Sequence, residues 1–202
     1  GSASYNLPIF QQGILGDGEI VAVGDTGVDH DHCFFSDATH GPFKQFNQVV
    51  TNHRKLRGYY QISVTDPTSG KVIGQTDTQD EVDGHGTHVA GSITGSLQFP
   101  ANDTNGLHFY QGSAPNSKLC FIDLHSPSVG LTVPADLYSQ YFAKSYECGA
   151  RIHSNSWGCS VAALFNCVYD CACTWAQDIA QIGVKKGDSV TDDFCEETFG
   201  VK

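Results

Sequence analysis

Two short segments concentrate side chains suited to acid–base chemistry. One is Val21-Ala22-Val23-Gly24-Asp25-Thr26-Gly27-Val28-Asp29, the other Asp83-Gly84-His85-Gly86-Thr87-His88-Val89-Ala90-Gly91-Ser92-Ile93. A histidine exchanges protons near neutral pH, and a carboxylate beside it orients the ring. Taken singly, these residues say less. Asp25 in Asp-Thr-Gly also reads as a turn cap, and His85 as a polar loop residue. His85 and His88 together suggest metal ligands, but H-x-x-H lacks the i, i+4 spacing and the glutamate of a zinc-binding helix. His30, His32 and Cys33, with Asp29, Asp31 and Asp37 nearby, form a second cluster of metal-like composition. It lacks the closing glutamate of a calcium-binding loop. A metal-binding protein is one reading of these clusters.

Considered together, the two segments resemble the aspartate and histidine motifs of the subtilisin-like serine proteases, the subtilases. A third segment, Ser154-Asn155-Ser156-Trp157-Gly158, resembles that family's substrate-binding strand, and all three occur in the family's order. The run His-Gly-Thr-His-Val-Ala-Gly is the specific part. Asp-Thr-Gly also occurs in aspartic proteases, but those are all-β and lack the histidine motif. The resemblance covers about residues 5–158. It implies that Asp25 and His85 are catalytic. A serine hydroxyl is a poor nucleophile until a base takes its proton; His85 is that base, and Asp25 accepts its second N–H and fixes the tautomer. It further implies an extended peptide or protein substrate. Ser156, Trp157 and Gly158 would pair with the substrate by strand addition, and Ser128 and Gly130, in the segment after Leu124, would form the opposite wall. His88 becomes a structural neighbour of the catalytic histidine. Gly84 and Gly86 allow close backbone approach where the next helix starts. The positive end of that helix is expected to disfavour imidazolium and keep the base neutral. No cofactor is required for this chemistry. Subtilases often bind structural calcium, which the resemblance allows, but no metal ligand can be assigned.

Two parts that the resemblance requires do not occur in the sequence. They are the serine of Gly-Thr-Ser-x-Ala and the asparagine, at an Ala-Ala-Gly-Asn type strand end, that stabilises the oxyanion. Ser189, in Gly187-Asp188-Ser189-Val190, comes late enough but lacks the small neighbours. Loss of the serine removes the covalent route. The expectation is the N-terminal part of a subtilase catalytic domain over 1–158, then a cysteine-rich, acidic insertion over 159–202 in which the sequence stops. Such a chain is inactive by itself. The alternative is a pseudoprotease, a peptide-binding module that has lost its nucleophile.

The elements around these residues follow from patterning. Glu19-Ile20-Val21-Ala22-Val23-Gly24 is an almost continuous apolar run bounded by glycines and by Asp25-Thr26-Gly27, as in a buried parallel strand. A strand is expected over 56–64, with a turn at Asp66-Pro67-Thr68-Ser69-Gly70. Over 86–97, Val89, Ile93 and Leu97 recur on one helical face, and Ala90 and Gly91 allow close packing. A further strand is expected over 118–124. A helix is expected over 134–148, with Leu137, Tyr141, Phe142 and Ser145 inward, and a strand over 151–156. Strands alternating with helices define an α/β domain with a mostly parallel sheet. The resemblance makes it a three-layer subtilisin-like fold, incomplete at the C-terminal side. Active residues of such sheets collect at the carboxyl ends of strands, where Asp25 and Ser156-Trp157-Gly158 fall.

Composition narrows the partners. The 22 acidic and 11 basic residues give a net charge of -11, which argues against nucleic acid and anionic membranes as partners. No apolar run approaches the roughly 20 residues of a membrane span. Asp77, Asp80, Glu81 and Asp83 read as a solvated loop, with a preference for basic substrates as the sharper reading. Cys33 and Cys120 are isolated, whereas Cys148, Cys159, Cys167, Cys171, Cys173 and Cys195 cluster toward the C-terminus. Disulfides in an oxidising compartment are favoured over zinc, because C-x3-C-x-C has no matching partner pair. With the sequon Asn102-Asp103-Thr104, this points to secretion or an endomembrane lumen. Oligomeric state is not legible.

Overall fold

The computed structural model describes residues 8–66, 68–99, 107–134 and 136–158. The chain divides into two units, Gly1–Ser156 and Trp157–Lys202, and only Trp157 and Gly158 of the second are described. The expected cysteine-rich insertion at 159–202 lies outside the described residues.

In chain order the first unit contains α1 (Pro8–Gln11), β1 (Ile20–Asp25), β2 (Leu56–Gln61), β3 (Ser63–Thr65), β4 (Val72–Gln75), α2 (His85–Thr94), a 3-10 turn (Leu107–Tyr110), β5 (Lys118–Asp123), β6 (His125–Ser126), β7 (Gly130–Leu131), a π-helical turn (Tyr138–Phe142), α3 (Ala143–Glu147) and β8 (Ile152–Asn155). Four strands form one parallel sheet in the order β2-β5-β1-β8. The last five residues of β1 and of β5 are all buried. Their continuous apolar sequences thus belong to the two inner strands, covered on both faces.

Alternation along these strands sorts the side chains into two layers. Val23, Leu56, Tyr59, Leu119 and Phe121 form one core cluster with Ala90, and Val89 and Ile93 of α2 pack against it. On the opposite face, a Cβ added to Gly24 would lie 1.6 Å from the Tyr141 hydroxyl, and one added to Gly58 would lie 3.0 Å from Cys148 Sγ. Tyr141 belongs to the π turn and Cys148 follows α3, so this helical segment covers the second face. The protein is therefore α/β, with helices on both sides of a mostly parallel sheet, as its patterning implied.

The structure also redraws several boundaries. The strand expected over 56–64 breaks at Ile62, whose N–H donates to Thr76 Oγ1 at 3.0 Å. Beyond the break, β3 leaves the parallel sheet and pairs antiparallel with β4, a fully exposed strand without alternating burial. The helix expected over 86–97 ends at Thr94. Gly95 turns out of it while its N–H still bonds to Gly91 O. Gly91 is not the point of close packing, since a Cβ there would meet only Phe35 Cζ at 4.0 Å. The helix expected from 134 starts later. Ser139 N donates to Asp136 Oδ1 at 2.9 Å, so Asp136 rather than Pro134 sets its beginning.

Candidate active site

Asp25 is the last residue of β1 and His85 the first of α2. His85 Nδ1 lies 2.7 Å from Asp25 Oδ1, and Thr26 N donates to the same oxygen at 2.8 Å. The aspartate side chain is 1% exposed and the histidine 47%, so the carboxylate is closed to water while the ring keeps an open edge. Asp25 Oδ2 is buried without a hydrogen bond among the described residues. The hydrogen bond to Asp25, then the charge of that carboxylate, raises the His85 pKa above the ordinary histidine value; burial opposes, and Asp83 and Asp80 add to the rise.

That direction is opposite to the influence expected of the helix end, and the start of the helix shows what offsets it. The four leading N–H groups of a helix have no partner within it. In α2 all four are used. Gly84 N donates to Glu81 O (2.9 Å), His85 N to Asp83 Oδ1 (3.2 Å), Gly86 N to Thr26 Oγ1 (3.0 Å), and Thr87 N to Asp80 Oδ2 (2.7 Å). Two of these partners are carboxylates, whose charge offsets the positive end of the helix. Thr26 Oγ1 in turn donates to Asp80 Oδ1 at 2.8 Å. The residue after Asp25 and the residues flanking His85 are thereby tied together through Asp80. Gly84 permits the geometry with φ of 69°. Gly86 permits the approach of the Asp25 loop, since a Cβ there would lie 2.0 Å from Gly27 O.

Asp80 is therefore no solvated loop residue, and neither are two of its acidic neighbours. His125 lies 3.3 Å from Asp77 through Nδ1–Oδ2 and 2.9 Å from Glu81 through Nε2–Oε1. It links the β6–β7 hairpin to the segment leading into α2. Beside it, the buried Asp123 accepts from Tyr59 Oη at 2.6 Å and from His125 N at 2.8 Å. Burial pushes its carboxyl up to about 8, against the pull of these two hydrogen bonds. Asp123 is the register partner of Asp25 across β1 and β5. The sequence carried one sign of this supporting layer, the density of acids just before His85.

The remaining candidates fall as follows. Ser128 and Gly130 sit on the β6–β7 hairpin, just past the carboxyl end of β5. Ser128 Oγ is 2.9 Å from Ser126 Oγ, and Gly130 has φ of 77°. Ser156 is exposed directly after β8. Because β5 and β8 flank β1, these residues follow the strands on either side of the one bearing Asp25. Asn155, the register partner of Gly24, accepts from Tyr141 Oη at 2.5 Å. Trp157 and Gly158 belong to the second unit. His88 is exposed on α2. It borders a cleft of about 850 Å³ that is also lined by Asp29, His32, Asp80, Asp83 and Tyr110. His30 is buried against Phe43, Phe46 and Tyr59, and His32 Nδ1 accepts from Phe34 N at 3.3 Å. Among the described residues, no three His, Cys, Asp or Glu side chains form a group that can hold a metal ion. No helix there is long and apolar enough to cross a membrane.

A parallel α/β sheet with a buried aspartate at one strand end, paired with the first histidine of the following helix, agrees with the motif order noted above. The chain belongs to the subtilase family, whose sequence profile matches residues 16–190. Among its relatives in Dictyostelium discoideum, the serine protease/ABC transporter B family protein tagB is 41% identical over 145 residues, covering 72% of this chain and 7% of that protein. The similarly named tagD is 41% identical over 147 residues, with 72% and 7% covered. For tagA the identity is 36% over 168 residues, with 82% and 8% covered. The chain thus spans less than a tenth of the length of these curated relatives. A solved structure of the Clostridium perfringens CspB protease is similar with a TM-score of 0.45 and 21% identity, over 76% of this chain and 32% of that one.

Proposed function

We propose that this chain supplies the acid–base half of a serine endopeptidase site, and that the nucleophile lies in a longer polypeptide of which the chain is the N-terminal part of the catalytic domain. The observation that carries the reading is the 2.7 Å contact between His85 Nδ1 and the buried Asp25. With Nδ1 so held, Nε2 takes the proton of a serine hydroxyl as its oxygen bonds to the substrate carbonyl carbon. It then gives that proton to the leaving amine as the C–N bond breaks. The serine protease names of the Dictyostelium relatives support the same class. The substrate is an extended peptide or protein, and Ser128, Gly130 and Ser156, which follow the strands on either side of β1, are the residues of the first unit that would pair with it. The chemistry requires no cofactor, and calcium, where present, is structural. The eight cysteines and one sequon favour a secreted or endomembrane-lumenal protein.

The missing Gly-Thr-Ser-x-Ala motif favours a second reading, a pseudoprotease that binds peptides without cleaving them. One labelling experiment separates the two. A fluorophosphonate probe is expected to label the complete gene product, to lose that label in His85→Ala, and to leave the 202-residue chain unlabelled. Labelling of the 202-residue chain would overturn its predicted inactivity. A complete product that folds but takes no label is the pseudoprotease.

A further inference from the structure

Two cysteines that sequence position kept apart meet beneath the sheet. Cys120 and Cys148 are both fully buried, whereas Cys33 is exposed. In β5, Leu119 and Phe121 join the core cluster on the α2 side, which turns Cys120 to the other face, where α3 packs. Cys148 is the residue at the C-terminal end of α3. The register partner of Cys120 on β2 is Gly58. A Cβ on Gly58 would lie 3.0 Å from Cys148 Sγ and 2.7 Å from the Tyr60 ring. The missing side chain at 58 therefore opens the space that the Cys148 sulfur occupies, level with Cys120. Each thiol is the other's electrostatic neighbour, and the Tyr60 side chain is a further neighbour of Cys148. Burial, then the neighbouring Cys148, holds the Cys120 thiol protonated, while the neighbouring Cys120 makes Cys148 the more acidic of the pair.

We propose that Cys120 and Cys148 are a redox modification site, closing to an intramolecular disulfide by exchange with a small-molecule disulfide such as oxidised glutathione. Cys148, as the thiolate, attacks one glutathione sulfur and releases the first glutathione thiolate. Cys120 then attacks the Cys148 sulfur of the mixed disulfide and releases the second. The protein is oxidised by two electrons, and its two thiol protons end on two reduced glutathiones. Because both sulfurs are buried, the exchange runs through local opening of α3 or during folding. The bond staples β5 to the turn between α3 and β8, and it stabilises the fold chiefly by restricting the unfolded chain. This site stands independently of the peptidase reading.

The test uses the full chain, reduced and then equilibrated with oxidised glutathione, and digested without reduction for mass spectrometry. The expected product is a linked pair of peptides carrying Cys120 and Cys148, lighter by two hydrogens than the two thiol peptides together. In Cys120→Ser, Cys148 is expected to retain glutathione, and the rise in urea midpoint seen on oxidation of the parent is expected to disappear. Recovery of Cys120 as a free thiol, or linked to Cys33 or to a cysteine beyond residue 158, overturns the proposal. Should Cys120→Ser fail to fold, the linkage map of the parent chain decides alone.

Discussion

Replacing Asp25 by asparagine keeps the shape of the side chain and removes its charge. The hydrogen bond and charge that raise the His85 pKa both originate there. Asp25→Asn is therefore expected to lower the titration midpoint of the His85 imidazole, read from its ring resonances by NMR. An unchanged midpoint would assign the shift to Asp80 and Asp83 instead. The sign for stability follows by linkage. A histidine with a raised folded pKa contributes stability that is complete below its unfolded value of about 6.5 and is lost as pH rises through the folded value. With 47% of the side chain exposed, screening keeps this contribution small, so titration is the better measurement than unfolding.

At the scale of elements, the start of α2 decides where His85 stands. Gly86 and Gly91 occupy the same helix and predict opposite outcomes. Gly86→Ala drives a methyl to within 2.0 Å of Gly27 O. It is expected to reduce the unfolding free energy by about 1–3 kcal/mol, as overpacking does. Gly91→Ala meets only ordinary contact with Phe35 and is expected to be neutral or to stabilise by up to about 1 kcal/mol through helix propensity. Urea unfolding of the two variants side by side checks both. Much of this element was readable beforehand. The 3.6-residue recurrence of Val89 and Ile93 marked the helix, and the residue types around Asp25 and His85 marked the pair. The cap on the helix was not readable, because Asp80 owes its role to Thr26 and Thr87, which only the folded chain brings beside it. Likewise, the contact of Cys148 with Cys120 depends on a long-range register and an empty position at Gly58. The β3–β4 hairpin went unrecognised because β4, exposed throughout, has no burial pattern to read.

For the whole molecule, pH acts through Asp123. Its carboxyl is fully buried, and burial raises its pKa to about 8 against an ordinary 3.8. Between these values the folded state binds more protons than the unfolded one, so this group makes global stability fall as pH rises from about 4 to 8. Each unit of pKa difference corresponds to about 1.4 kcal/mol. Asp123→Asn removes the titration while keeping a side chain that can meet Tyr59 and the His125 N–H. The variant is expected to gain stability relative to the parent as pH rises, by a few kcal/mol at most, on the order set by that conversion. Urea midpoints at pH 5 and pH 8 on both proteins measure it. A parallel pH dependence in the two would remove Asp123 as the source.

The glycines of the two motifs have a consequence for reading relatives of this chain. Gly86 leaves room for the Gly27 carbonyl, and Gly27, at φ of 128°, leaves room for the Gln79 carbonyl, which a Cβ would meet at 2.1 Å. The runs around Asp25 and His85 are thus interlocked backbone against backbone, and folding needs their glycines whether or not a bond is ever cut. A lineage that abandoned catalysis would still be held to them. The imidazole of His85, half exposed, leaves no cavity when lost and has no comparable claim on the fold. Among divergent members, persistence of the glycines therefore reports the fold and says nothing of catalysis.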